Sequence, residues 1–229
     1  MSESLHAGHR ERLRERYIRD GIDNLDSHTA LELLLFYAIP RRDTNEIAHR
    51  LLLRFHNLRG VFDATADELC LVEGVSRNTA AFLKLIPDIY RTALCEEVTL
   101  RKFDSVKKVI EMMERYYIGV SAEVVYMILI DNNKRIIGIE KVGVGSVNSI
   151  AMNTRDLVER VLRANAASVI LVHNHPHGPA VPSEDDIETT HIISDAFRLF
   201  GIRFVDHVII GEDGGNVLSS KMPGVFMSP

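Results

Sequence analysis

Between Val169 and Asp186 the chain reads Val-Ile-Leu-Val-His-Asn-His-Pro-His-Gly-Pro-Ala-Val-Pro-Ser-Glu-Asp-Asp. The apolar run Val169 to Val172 is that of a strand buried on both faces. His173 and His175 continue it two residues apart, and strand side chains alternate with period two. Both imidazoles therefore leave the same face. Pro176 removes a backbone donor and ends the pairing. After a short loop with Gly178, Pro179 and Pro182, Ser183 and the acids Glu184, Asp185 and Asp186 read as an N-cap and first helical turn. Two imidazoles at a strand end and a carboxylate on the next helix converge on one point. Three protein ligands with a fourth position left to water is the plan of a catalytic zinc site.

Each part has a plainer reading. Ser183 and Asp186 alone fit an ordinary capping box. A lone histidine on a buried strand is ordinarily a hydrogen-bonded core residue. Two on one face, followed by proline and an acidic helix start, favour a metal.

The pattern His-x-His-Pro, the run to Pro182, then Ser-x-x-Asp resembles the signature of the JAMM (JAB/MPN) metalloproteases. The fuller string His-Asn-His-Pro-x-Gly-x-x-x-Pro-Ser-x-x-Asp is similar to their bacterial RadC branch. The resemblance implies metal-assisted hydrolysis of a peptide or isopeptide bond in a peptide or protein substrate. Zinc on His173, His175 and Asp186 would lower the pKa of its water to roughly 7. A glutamate on an earlier strand would serve as general base and then acid. Glu140 is the match, just before a glycine-containing turn as in RadC relatives, with Glu123 as second choice. The Ser183 hydroxyl would donate to the tetrahedral oxyanion. His177 stands where those relatives carry serine and reads as a loop residue near the metal. His207, in Val205-Asp-His-Val, reads as a core hydrogen-bonding residue.

The 229 residues suffice for one large or two small domains, and 46% hydrophobic with 26% charged side chains is an ordinary globular balance. No apolar run of membrane-spanning length occurs and no charged-then-apolar leader opens the chain, so no membrane partner and a cytoplasmic location are expected. Cys70 and Cys95 lie far apart in no metal spacing, which suits a reducing compartment. Residues 1–95 carry 13 basic against 14 acidic side chains. A dedicated nucleic-acid binder shows a strongly basic domain, and neither half does.

The N-terminal part predicts a helical bundle. Residues 9–20 place Leu13, Tyr17 and Ile18 on one side of a helix and five arginines, Arg10 to Arg19, around the rest, with Gly21 as C-cap. Helices follow over His28 to Ala38, after Asp43 or Thr44 as cap, and near Asp67 to Val72. The run from Leu69 through Gly74-Val75-Ser76 resembles a helix-hairpin-helix. In that motif a Gly-apolar-Gly turn holds a DNA phosphate on backbone N–H groups. Ser76 replaces the second glycine, so the hairpin is degenerate and implies at most weak DNA contact. RadC relatives carry such a domain in this position. The alternative to a hydrolase is accordingly a DNA-associated protein using the N-terminal domain, with its metal site structural or inactive.

Tyr90 to Phe103 reads as a helix end and connector, which sets domains at 1–99 and 100–229. The second is expected to be a mixed-sheet α/β domain of JAB/MPN type. Its elements are a helix over Ser105 to Tyr117, a hairpin of Ala122–Ile130 with Arg135–Val144 turning at Asp131 to Lys134, and a helix over Thr154 to Ala164. The histidine strand, the helix from Ser183 to Phe200, a strand Ile202–Ile210 and a short last strand after Gly214-Gly215 complete it.

Overall fold

The computed structural model describes residues 2–96, 102–145 and 153–226. Packing divides the chain into Met1–Ile89 and Tyr90–Pro229. The boundary expected near residue 100 falls on residues 97–101, which lie outside the described residues. Among the described residues no helix is long and apolar enough to cross a membrane.

The first unit is helical throughout: α1 Ser2–Asp20, α2 Ser27–Ala38, α3 Asn45–Phe55, α4 Leu58–Asp63, α5 Ala66–Cys70 and the start of α6, Arg77–Glu96. Leu31, Leu35, Ile47, Leu51, Val61, Leu69 and Leu83 close one core across α2 to α6. Each such side chain stabilises by about 1.5–3 kcal/mol when fully buried. Asp26 caps α2 through the Thr29 N–H at 2.7 Å. At α3 it is Asp43 that accepts the Asn45 N–H at 2.9 Å, while the Thr44 side chain makes no cap bond. The first helix begins earlier than its pattern suggests, and only Leu13 of its expected apolar side is buried, against Leu33 and Phe36. Tyr17 and Ile18 are 44% and 74% exposed, because α1 meets its unit along a narrower stripe than the sequence face. Short α4, capped by Asn57, is an addition to the expected bundle.

The arginines of α1 are engaged locally. Arg10 donates to the carbonyls of Ile39, Pro40 and Arg42 at 2.5–2.8 Å, fastening α1 to the segment after α2. Arg16 donates to the Asn24 carbonyl, and Arg19 pairs with Asp20. In the hairpin, Gly74 has φ +95°, and a Cβ there would come within 2.8 Å of Ile47. Glycine is required on both counts. Ser76, at the second glycine position, accepts the Thr79 N–H at 3.1 Å and caps α6.

The second unit is built on a five-stranded mixed sheet of order β2-β1-β3-β4-β5, with β1 Val124–Ile130, β2 Ile136–Val144, β3 Ser168–Asn174, β4 Arg203–Gly211 and β5 Gly214–Val217. Only β3 and β4 run parallel, joined by helix α9, Glu184–Leu199. Every β3 residue is buried, as its apolar run requires. On one face Met127, Leu129, Val169 and Leu171 pack against Leu157 and Val161 of α8, Thr154–Arg163, and against Ile193 and Phe197 of α9. On the other, Ile128, Ile170 and Val172 meet Val109 and Met113 of α7, Val106–Tyr116. The Asp131–Lys134 turn joins β1 to β2; Asp131 Oδ1 accepts the N–H groups of Asn133 and Arg135.

Candidate metal centre

The centre lies where the central strand ends and the crossover helix begins, outside the carboxyl end of a parallel strand pair. His173 is the sixth residue of β3. His175 lies just past the strand but stays in register, its N–H donating to the Ile210 carbonyl of β4 at 2.8 Å. Period two then turns both rings to the α9 side, and their Nε2 atoms stand 3.0 Å apart. Ser183 caps α9: its Oγ accepts the Asp186 N–H, and its own N–H and O–H donate to Asp186 Oδ2 at 2.8 and 2.7 Å. The reciprocal bonds aim the carboxylate back at the strand. Asp186 Oδ1 lies 3.2 Å from His173 Nε2, and Oδ2 lies 3.5 Å from His175 Nε2. The capping box and the candidate ligand are thus one device.

The triangle fits a small divalent metal. Tetrahedral zinc with nitrogen and oxygen ligands separates them by about 3.3–3.5 Å, given bonds of 2.0–2.2 Å. Among the described residues His173, His175 and Asp186 form the one group of His, Cys, Asp or Glu gathered tightly enough for a shared ion. Proton placement points the same way. His175 Nδ1 faces the Pro179 carbonyl at 3.1 Å. A carbonyl only accepts, so Nδ1 donates to it and Nε2 is the nitrogen turned into the triangle. Burial alone would raise the Asp186 carboxyl, but His173 and the Ser183 donors hold it well below the usual carboxylate range. Two imidazoles with one carboxylate suit zinc, iron or nickel better than a hard oxygen-seeking ion.

A groove of about 590 Å³ opens over the triangle, lined by Ser121, Glu123, His175, Pro176, His177, Gly178, Ser183, Asp185 and Asp186. His177 is exposed on its rim. Glu123 lies immediately before β1. Since Val125 pairs with His173, extending that register sets Glu123 across from His175. Its backbone is bracketed: Asn174 Oδ1 accepts the Val124 N–H at 2.8 Å, and Asn174 Nδ2 donates to the Ala122 carbonyl at 3.1 Å.

Glu140, the first choice from the sequence, is placed elsewhere. It pairs with Met127, level with Leu171 rather than the histidines. It lies on β2, two strand spacings (roughly 9.5 Å) from β3. Its carboxylate meets the Arg160 guanidinium at 3.3 Å, and it does not line the groove. Of the two glutamates, it is Glu123 that lines the groove.

Behind the triangle, His207 on β4 is completely buried. Burial, followed by the neighbouring His173 charge, pushes its imidazole well below the usual value. Its Nε2 meets His173 Nδ1 at 2.9 Å and its Nδ1 meets Thr190 Oγ1 at 2.6 Å. The sequence marks His207 as a core hydrogen-bonding residue, which it is. Thr190 and Asn174 carried no local signal beyond a polar side chain in a buried stretch.

Residues 103–225 match the RadC-like JAB domain and residues 6–81 match the UPF0758 N-terminal domain. A UPF0758 protein of Fusobacterium nucleatum subsp. nucleatum is 37% identical over 221 residues, covering 93% of this chain and 95% of the relative. A UPF0758 protein of Desulforudis audaxviator is 32% identical over 219 residues, covering 94% and 93%. Both halves of the molecule therefore fall within one architecture, and the chain belongs to the UPF0758 family of proteins with a RadC-like JAB domain.

Proposed function

We propose that the C-terminal unit is a zinc-dependent hydrolase that cleaves a peptide or isopeptide amide bond in a protein substrate. The observation that carries this reading is the convergence of three donor atoms within 3.0–3.5 Å at the floor of an open groove. His173, His175 and Asp186 would hold the ion. Bound there, zinc would supply Lewis acidity and make the attacking water acidic enough to ionise near neutral pH.

The remaining work falls to the chain's own side chains. The Glu123 carboxylate accepts a proton from the attacking water and returns it to the leaving amine, acting as base and then acid. Among the described residues it has no ion-pair partner, which leaves it available, whereas Glu140 is engaged by Arg160. The Ser183 hydroxyl now donates to Asp186 Oδ2. Rotated into the groove, it donates instead to the developing oxyanion, while the Ser183 N–H stays on Asp186. Such a donor contributes about 3 kcal/mol of barrier lowering.

The test is incubation of zinc-loaded protein with peptide and lysine-ε-isopeptide libraries, read by mass spectrometry. Cleavage by the native protein, absent from His173→Ala and Glu123→Gln, is expected. No product from either library with zinc demonstrably bound contradicts the reading.

A further inference from the structure

We propose that Asp213 and Asn216, in the hairpin of β4 and β5, are positioning residues that clamp the loop after His175 and so set its ring and one wall of the groove. The consequence for zinc rests on the metal-binding reading of His175, while the clamp itself is read in protein without metal.

The loop is laid against the hairpin along its length. Only Glu212 and Asp213 join β4 to β5, the shortest common hairpin connection. The Glu212 N–H donates to the Gly178 carbonyl at 3.0 Å. Asp213 Oδ1 accepts the Ala180 N–H at 2.7 Å, and Asn216 Nδ2 donates to the Ala180 carbonyl at 2.9 Å. Both backbone groups of one loop residue are thus taken by hairpin side chains. Ala180 is 5% exposed and packs with Ile209, Leu218 and Met222, so losing either partner leaves a buried polar group unpaired. Gly211 permits the approach. A Cβ there would stand 2.2 Å from Ala180 N and 2.5 Å from the Pro179 carbonyl carbon.

The Asp213 bond reaches the candidate ligand through one rigid unit. The Ala180 N–H and the Pro179 C=O belong to the same planar peptide, which is trans, so they point opposite ways. Holding the N–H on Asp213 therefore aims the Pro179 carbonyl, and that carbonyl faces His175 Nδ1 at 3.1 Å. A carboxylate on the N–H also polarises the peptide and strengthens its oxygen as an acceptor. Asn216 holds the following peptide, where the chain turns toward the Ser183 cap. Pro176, His177 and Gly178 of the same loop line the groove, whereas Asp213 and Asn216 do not. Both therefore act through the loop. Residues that orient a ligand from behind typically alter metal affinity about 10- to 100-fold.

The test uses full-length protein. In the metal-free state, NMR reads the exchange of the Ala180 N–H and the Overhauser contacts between the His175 ring and Pro179. Competition with a chromophoric chelator reads zinc affinity, and denaturant unfolding reads stability. Asp213→Ala is expected to speed Ala180 exchange, remove the ring contacts and weaken zinc about 10-fold, with the unfolding midpoint near native. Asp213→Asn keeps an acceptor oxygen and should restore all three. Asn216→Asp keeps the oxygen that accepts the Val217 N–H at 2.8 Å but offers Ala180 no donor. It should loosen the same loop, and serves if Asp213→Ala does not fold. A folded Asp213→Ala protein with native Ala180 exchange overturns the clamp. Fast exchange with native ring contacts and native zinc affinity overturns its hold on His175, as does failure of Asp213→Asn to restore them. Protein that binds no zinc, yet loses the ring contacts in Asp213→Ala and regains them in Asp213→Asn, upholds the clamp and removes the hydrolase reading instead.

Discussion

The side-chain amide of Asn174 brackets Glu123, accepting the N–H of the residue after it and donating to the carbonyl of the residue before it. One amide at the end of β3 thus replaces the ladder that backbone pairing no longer supplies. It fixes Glu123 in the groove that His175 and Asp186 also line. Asn174→Leu leaves Val124 N–H and Ala122 C=O without these partners, at a cost of about 1–3 kcal/mol each if both stay buried. Turnover is expected to fall further than zinc affinity, since Glu123 is displaced and the ligands are not. Denaturant unfolding, zinc competition and turnover on one variant check this. Equal loss of zinc and turnover would contradict it.

The two glutamates separate cleanly by mutation. Glu123→Gln keeps shape and hydrogen bonding but cannot accept a full proton, and a general base typically contributes 10²–10⁴-fold. A loss of about that size with zinc still bound is expected. Glu140→Gln removes only a partly exposed ion pair with Arg160, within about 1 kcal/mol of stability, and should leave turnover near native. The reverse pattern would return the catalytic role to Glu140.

Arg10 is expected to act on stability. Its guanidinium serves three carbonyls, and hydrogen bonds to a charged group are worth about 1.5–3 kcal/mol. Arg10→Gln should lower the unfolding midpoint of the N-terminal unit. A gel shift with duplex DNA at low and raised salt gives the comparison. Salt-sensitive binding lost in a variant of native stability would favour phosphate contact over the structural role.

Tyr117 gives a pH signature. Its hydroxyl is buried between the Val124 and Val172 carbonyls. Burial, then Tyr126, raises its pKa well above the usual 10.0. Because the folded value is raised, the neutral hydroxyl's contribution is fully present below the unfolded value and lost as pH climbs above it. Stability should therefore fall above about pH 10 more steeply in the native protein than in Tyr117→Phe. At neutral pH the variant is expected to be about 1 kcal/mol less stable. Urea unfolding across that range reads the difference, and parallel curves would contradict it.

What was legible in the sequence was local. Period two set His173 and His175 on one face, and the Ser183–Asp186 spacing announced the cap that aims the Asp186 carboxylate at them. The burial of β3 on both faces followed from an apolar run too continuous for a half-exposed strand. Glu123 was only a second choice because its bracket is long-range: Asn174 lies 50 residues from Val124, and no local pattern marks that pairing. Glu140 sits in a convincing strand, yet register carries it level with Leu171 and beside Arg160. Thr190 and His207 belong to separate elements, and only the closed fold brings them together. At the other end, Tyr17 and Ile18 share a helical face with Leu13, but the neighbouring helix covers only the leucine.

The most direct test is metal content by mass spectrometry on protein purified without chelator or nickel affinity resin, beside His173→Ala. About one zinc per chain, absent from the variant, is the expected result, with a zinc-dependent rise in the unfolding midpoint. Native protein that holds no metal, even after zinc is offered, would contradict the assignment of His173, His175 and Asp186 as a metal centre.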